Sequence, residues 1–343
     1  MKLFSLFTQE LAIDLGTANT LIIEDGQIVI DEPSIVAIDI RTGEPIAVGK
    51  RAMQMHEKTH QHIKTIRPLK DGVIADFQAA ENLIEGLINQ LGNRRRFFSH
   101  LKMVICIPSG ITEVEKRAVF DSADHVDSKE TYLIFEPMAA ALGIGLDVEE
   151  PVGNMIIDIG GGTTEIAVIA LSGIVGDQSI RTAGDEFTND IIDFMKRGHN
   201  ILIGERTAEQ IKIHVGSALK ELENPPSDFA VNGRDLVTGI PRQLMISYQE
   251  IAEAINDSIS KIEEAILKAL ENTPPELSSD IYKTGLYLTG GGALLRGLDK
   301  RISAITKLPV HIAEDPLRAV VRGTGIALKN TERFSFLIPR KSV

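Results

Sequence analysis

The opening of the chain alternates apolar and polar positions in a way that predicts β structure. Leu11–Asp14, Leu21–Glu24 and Gln27–Ile30 are short β-rich runs separated by Gly16-Thr17 and by Asp25-Gly26, the second a strong hairpin pair. Apolar residues then recur at helical spacing over Phe77–Leu91, ahead of an apolar strand at Lys102–Pro108. A helix follows with Ser109 or Thr112 as its N-cap and Glu113 and Glu115 in the first turn, where acids favour the positive end of the helix dipole. A strand at Tyr132–Phe135 leads into an alanine-rich helix from Pro137. The second half predicts helices at Asp185–Lys196, Thr207–Leu222 and Tyr248–Leu270, with a polar, β-like excursion around Pro225-Pro226 and Asn232-Gly233. The strand Leu286–Thr289 runs into Gly290-Gly291-Gly292, which opens a helix. The last helix, near Asp315–Leu328, carries Ala319, Gly323, Gly325 and Ala327, small enough to let another backbone approach.

Within this pattern one motif occurs twice. Leu11-Ala12-Ile13-Asp14-Leu15-Gly16-Thr17 is matched far along the chain by Met155-Ile156-Ile157-Asp158-Ile159-Gly160-Gly161-Gly162-Thr163. Each copy is an apolar strand ending in Asp-x-Gly and followed by Thr and a second apolar strand. A repeat so widely spaced points to duplicated halves, because a solenoid repeats every ~20–50 residues. Hairpins come first and helices later in both halves, which reads as α/β with mixed sheets.

Composition narrows the class. The 343 residues suffice for about two domains, and 43% hydrophobic with 24% charged residues is globular composition. The net charge of −12 argues against a nucleic-acid binder and makes contact with an anionic membrane a local matter. A single cysteine, Cys106, excludes an internal disulfide, fits a reducing compartment and sits in a run that reads as a buried structural strand. No apolar stretch reaches the roughly 18–20 residues of a membrane span, and the N-terminus is too short for a signal sequence, so the expected location is cytoplasmic.

Three glycine-rich turns each follow an apolar strand: Asp14 to Asn19, Asp158 to Thr164, and Thr289 to Ala293. Glycines let backbone N–H groups turn inward toward phosphate oxygens, and Thr and Asn add donors without bulk. Neither Gly-x-Gly-x-x-Gly opening a helix after a first strand nor Gly-x-x-x-x-Gly-Lys-Ser/Thr is present. Asp14 and Asp158 would repel a polyphosphate unless a cation intervenes, and Mg²⁺ keeps its waters while touching few carboxylates. The pair is therefore read as holding Mg²⁺ through water, with tight-turn capping as the alternative.

With these loops, Arg67 to Asp76, Pro108 to Thr112, Glu136 to Ala141, Gly204 to Glu209 and Ala313 to Leu317, the chain resembles the actin-like ATPases, and among them the bacterial rod-shape-determining actins. The resemblance covers nearly the whole chain. It implies an α/β, duplicated actin/Hsp70-like (ribonuclease H-like) ATPase fold, with two domains flanking a nucleotide cleft. By that resemblance, 1–32, 67–148 and 315–335 form one large subdomain, with 33–66 inserted as a small one. Likewise 149–183 and 249–314 form the second large subdomain, with 184–248 inserted.

The resemblance also implies roles. Gly16, Thr17, Ala18 and Asn19 take the β- and γ-phosphates of ATP from one side, and Gly160, Gly161, Gly162 and Thr163 from the other. Glu136 orients the attacking water, with Asp14 and Asp158 completing the catalytic set. Glu209 and Lys212 contact ribose and base, although their i,i+3 spacing alone fits a surface ion pair. Gly290, Gly291, Gly292 and Ala293 lie along the adenosine. One departure stands out: the family carries a second acid before the one matched by Glu136, and here it is Phe135. The function implied is a slow ATPase that forms homopolymeric filaments beneath the inner membrane and organises cell-wall elongation and rod shape. Its implied partners are membrane-bound morphogenesis and wall-synthesis proteins. The alternative is a chaperone-like or kinase-like ATPase of the same fold that does not polymerise.

Two features remain. His56-Glu57-Lys58-Thr59-His60 fits the metalloprotease pattern His-Glu-x-x-His, but its neighbours are polar, so it reads as a solvated helix without zinc. Leu3, Phe4, Leu6 and Phe7 form a candidate amphipathic membrane contact, and Phe97 and Phe98 after Arg94-Arg95-Arg96 form a second.

Overall fold

The computed structural model describes residues 8–91 and 100–340. The candidate membrane contacts Leu3, Phe4, Leu6, Phe7, Phe97 and Phe98 lie outside the described residues. The first sheet starts with the predicted strands, Thr8–Leu15, Asn19–Glu24 and Gln27–Pro33, paired antiparallel in sequence order. Asp25 and Gly26 turn the second hairpin at φ 53° and 80°, both left-handed, as a primed two-residue turn requires. His100–Ile107 joins Thr8–Leu15 in parallel and Ser128–Phe135 follows in parallel, with Ile338–Pro339 closing the edge.

The second sheet repeats this order. Asn154–Ile159, Thr164–Ala170 and Gly173–Ile180 form the antiparallel part, and Leu286–Thr289 and then Val310–Ile312 add in parallel. The duplicated motif is thus a duplicated sheet, with Asp14 and Asp158 on equivalent central strands. Three-stranded sheets lie apart from these, one of Val36–Asp39, Pro45–Val48 and Ile63–Ile66 and one of Ile201–Leu202, Phe229–Asp235 and Pro241–Ile246.

Two helices join the main sheets. Glu136–Gly143 and Ala319–Lys329 pack between them, in a shared core holding Ala12, Val104 and Ile134 from one sheet and Ile156, Ala167 and Ile169 from the other. Methyl groups would not fit at the crossing: one added at Gly323 would overlap the carbonyl oxygen of Ala139, and one at Gly143 that of Ala319. The outer faces are covered by amphipathic helices. Gly184–His199, for example, buries Phe187, Ile191 and Met195 at i, i+4 and i+8, each worth about 1.5–3 kcal/mol of transfer free energy.

Several predicted bounds shift for local reasons. Thr112, not Ser109, caps the helix Glu113–His125, in a reciprocal capping box with Glu115. The helix expected at Thr207–Leu222 spans Glu205–Val215 and stops at Gly216, whose N–H still bonds Lys212 O while its ψ of 135° leaves the helix. Tyr248–Leu270 is two helices, Tyr248–Ala254 and Asn256–Glu271, broken at Ile255, which keeps its side chain buried with φ −93° and ψ 3°. Gly291–Leu294 and Pro316–Arg318 are short 3₁₀ turns that precede the helices Leu298–Thr306 and Ala319–Lys329. His56 to His60 is not a helix: Lys50–Met55 ends there, and Glu57 turns back at φ 60°, so the histidines do not share a helical face. Among the described residues no helix is long and apolar enough to cross a membrane.

Candidate functional site

The two Asp-x-Gly turns face one another. In the first, the carbonyl of Asn19 lies 2.7 Å from where a Cβ at Gly16 would stand, so only glycine closes this turn without a shift. Ser34 braces it, donating through Oγ to Gly16 O at 2.6 Å and through its backbone N–H to Ala18 O at 2.9 Å. In the second, Gly160 N–H donates to Thr163 O at 2.9 Å, and the start of helix Gly184–His199 donates from Gly184 to Gly160 O and from Asp185 to Gly161 O. The turns meet at Ala18 and Gly161, where an added methyl would sit 2.8 Å from Ala18 Cβ, and at Thr17 and Gly162, where one would sit 2.6 Å from Thr17 Oγ1. The Asp71-Gly72 turn reaches the same point, with Gly72 N–H donating to Thr17 Oγ1 at 3.0 Å.

Carboxylates gather beneath these loops. Burial pushes Asp14 up to about 6, partly offset by the Cys106 thiol, which donates to its Oδ1 at 3.1 Å. Burial pushes Asp158 up to about 7, offset by Thr289 Oγ1 donating at 2.7 Å and reinforced by the charges of Asp14 and Glu165. Glu136, first residue of its helix, is held well above the usual carboxylate range by burial, and the charges that add to this are Glu165, Asp158 and Asp14. Cys106 is buried in its strand as the pattern implies, and its thiol also touches Asp14.

Glu165 is the residue that sequence reasoning missed. It is fully buried opposite Asp158 on the neighbouring strand, and accepts from Ser109 N–H at 3.1 Å, Ser109 Oγ at 2.6 Å and Ser179 Oγ at 2.6 Å. The signal was present: one acid inside the run Thr164-Glu165-Ile166-Ala167-Val168-Ile169, which otherwise reads as buried strand.

A hydrated divalent cation suits this donor set, since buried carboxylates crowd one another and Mg²⁺ needs few of them. Asp14 and Asp158 would hold it, and its chemistry there is to neutralise polyphosphate charge. Among the described residues no group of three or more His, Cys, Asp or Glu forms a metal cage.

The raised values have a consequence for the nucleotide-free protein. Asp158 binds its proton more tightly folded than unfolded, so its burial costs nothing below about pH 4 and the cost is complete above about pH 7. Asp158→Asn removes that cost and keeps an oxygen for Thr289. Relative to wild type it should therefore gain stability as pH rises from 4.5 to 8, by up to ~3 kcal/mol. Urea unfolding of both proteins across this range, without nucleotide or Mg²⁺, measures the difference; a difference that stays flat would mean the burial carries no charge cost.

The other predicted residues fall around this centre. Lys212 ion-pairs with Glu209 at 2.7 Å, and its Nζ donates to Gly184 O at 2.7 Å and Thr188 Oγ1 at 3.0 Å. Glu209 accepts from Thr188 Oγ1 at 2.9 Å. The ion pair of the plain reading therefore exists, and it is anchored beside the second loop. Gly290 and Gly292 back onto Ile159, where a methyl on either would overlap its atoms, so these glycines serve close packing behind that loop. Leu294 on this turn and Leu317 on the adjacent turn Pro316–Arg318 are about half exposed, an apolar surface. Phe135, in place of the second acid, lies with its ring centroid 5.6 Å from Lys116 Nζ.

Two sheets of one strand order, joined by crossed helices and each ending in a glycine turn over an aspartate, define the actin-like fold. The chain belongs to the MreB/Mbl family, whose profile (MreB/Mbl protein) it matches over residues 8–335. It is 45% identical over 329 residues to the cell shape-determining protein Mbl of Bacillus subtilis (strain 168), covering 96% of this chain and 98% of that one. It is 47% identical over 333 residues to the cell shape-determining protein MreB of Escherichia coli (strain K12), covering 96% and 95%. The crystal structure of MreB 5 of Spiroplasma citri bound to AMPPNP superposes with a TM-score of 0.90 at 39% identity, covering 95% of this chain and 97% of that one.

Proposed function

We propose that this chain is an ATP-dependent, actin-like cytoskeletal protein. It polymerises at the inner face of the cell membrane, where it organises wall elongation and maintains rod shape together with membrane-bound morphogenesis and wall-synthesis proteins. The observation that carries the proposal is the convergence of the two glycine turns over Asp14 and Asp158. The relatives' names as cell shape-determining proteins, and the AMPPNP bound to the Spiroplasma citri protein, agree with it.

In this reading Gly16, Thr17, Ala18 and Asn19 bind the β- and γ-phosphates from one side, and Gly160, Gly161, Gly162 and Thr163 from the other. Asp14 and Asp158 would hold Mg²⁺ through its waters, and the ion would supply neutralisation of phosphate charge. Gly290 to Ala293, with Leu294 and Leu317, line the adenosine, and Glu209 and Lys212 meet ribose and base. Glu136 holds the attacking water, and hydrolysis is slow. Catalysis of this kind is positioning and electrostatics. Nucleotide acts on assembly through its different affinities for the open and closed forms. The subdomain bounds read from the sequence belong to the same proposal. The small sheet containing Val36–Asp39 falls within 33–66, and the one containing Phe229–Asp235 within 184–248.

Sedimentation tests it. The protein should pellet with ATP and Mg²⁺ and stay in the supernatant without nucleotide, and anionic liposomes should increase the pelleted fraction. Protein that remains monomeric in every condition would overturn the cytoskeletal reading.

A further inference from the structure

A second set of contacts bridges the two halves, away from the glycine turns. After the helix Lys50–Met55, Glu57 sits at φ 60°, a left-handed conformation unfavourable for a residue with a Cβ. From there its Oε1 accepts the backbone N–H of Glu205 at 3.1 Å. Glu205 opens the helix Glu205–Val215, whose N-cap is Gly204 and which therefore has no side chain of its own to cap it. Gly204 is also where a side chain would collide with the Glu57 carboxylate.

Glu205 is itself clasped from the first half. Arg67 pairs with one of its carboxylate oxygens, and His56 Nε2 lies 3.2 Å from the other. His56 is oriented by Thr65 Oγ1, 2.8 Å from its Nδ1. Arg67 Nε is buried here without a hydrogen-bond partner, so the ion pair with Glu205 leaves one of its polar groups unsatisfied.

The capped helix leads to the phosphate loop. It carries Lys212, whose Nζ holds Gly184 O, and Gly184 N–H in turn holds Gly160 O. We infer that Glu57 is a positioning residue, a helix cap supplied across the cleft that seats Glu205–Val215, and through Lys212 the second glycine turn, when the halves close. The inference rests on the nucleotide reading of that turn. Closure and nucleotide binding then reinforce each other, because whatever stabilises the seated helix favours both.

The test uses the full chain with Glu57→Ala and Glu57→Gln; Glu57 is exposed, so neither variant disturbs the core. Spin labels on Arg41→Cys and Val237→Cys report the separation of the two small sheets, and Cys106 is too buried to label. A fluorescent ATP analogue with Mg²⁺ reports affinity. Glu57→Ala should lengthen the label distance in the nucleotide-free protein and weaken binding by about two- to thirtyfold, the span expected for a lost N-cap. Glu57→Gln, which keeps an acceptor oxygen, should restore most of both. Wild-type distance in Glu57→Ala overturns the inference whatever the affinity, because the contact would then hold nothing closed. A lengthened distance with unchanged affinity overturns the link to the glycine turn. If the wild-type protein binds no nucleotide, it is the nucleotide reading that fails, and the distances still decide whether Glu57 clasps the cleft.

Discussion

Glu136→Ala protein should bind ATP within about threefold of wild-type affinity and hydrolyse it on the order of 10²-fold or more slowly, the usual contribution of a placed acid or base. The separation follows from geometry. In the proposed reading phosphate affinity comes from the two glycine turns and their backbone N–H groups, and Glu136 belongs to neither turn. Glu136 stands at the end of strand Ser128–Phe135, as the first residue of the helix Glu136–Gly143, and Pro137 behind it fixes the start of that helix. It shares the recess with Asp14, Asp158 and Glu165, whose negative charges act on it. A carboxyl group so placed has little to offer an anionic substrate in its ground state, and much to offer a water that must be aligned. Glu136→Gln should fall between the two proteins, since an amide oxygen still accepts from that water. Fluorescent-nucleotide titration and single-turnover phosphate release separate binding from chemistry, and normal turnover in Glu136→Ala would remove the residue from its role.

Much of this site was legible because its parts are local. Asp14 and Asp158 each end a central strand, and the glycines that follow are dictated by the turn, so a repeated strand-turn pattern announced a repeated sheet. The cap candidate Thr112 and the first-turn acid Glu115 were legible for the same reason, with their pairing and the choice between Ser109 and Thr112 left to the structure. That choice was decided by a long-range contact: Ser109 spends both its N–H and its hydroxyl on Glu165, from the other half. The same holds for the elements whose bounds moved. Helical spacing ran on through Ile255 and past Gly216, and the breaks there come from packing and from the turn toward Arg296, which bonds Ala218 N–H, rather than from local propensity. His56 to His60 shows the limit most plainly. Its composition fits a solvated helix, yet the segment leaves the helix at Glu57, and Glu57 and His56 both find their partner in Glu205, far away in sequence.

Gly323→Ala should destabilise the protein by about 3 kcal/mol, the upper range for overpacking, whereas Gly325→Ala two positions on should change stability by less than about 1 kcal/mol. Both glycines lie in the helix Ala319–Lys329, where alanine is intrinsically better by about 1 kcal/mol. What separates them is the neighbour. A methyl at Gly325 would come within 3.2 Å of Ile23 Cδ1, the far end of a flexible side chain that can give way. A methyl at Gly323 would overlap the carbonyl oxygen of Ala139 and crowd the backbone nitrogen of Gly143, at 2.9 Å, neither of which can move without moving its helix. Since Glu136–Gly143 and Ala319–Lys329 carry the core shared by the two sheets, relief has to come from pushing the helices apart. That shift displaces Glu136 at the start of one helix relative to the glycine turns. Urea unfolding of the two variants tests the contrast, and ATP turnover should fall with stability in Gly323→Ala alone. Equal stability in both would mean that the crossing has slack, and that the halves are not pivoted on a rigid backbone contact.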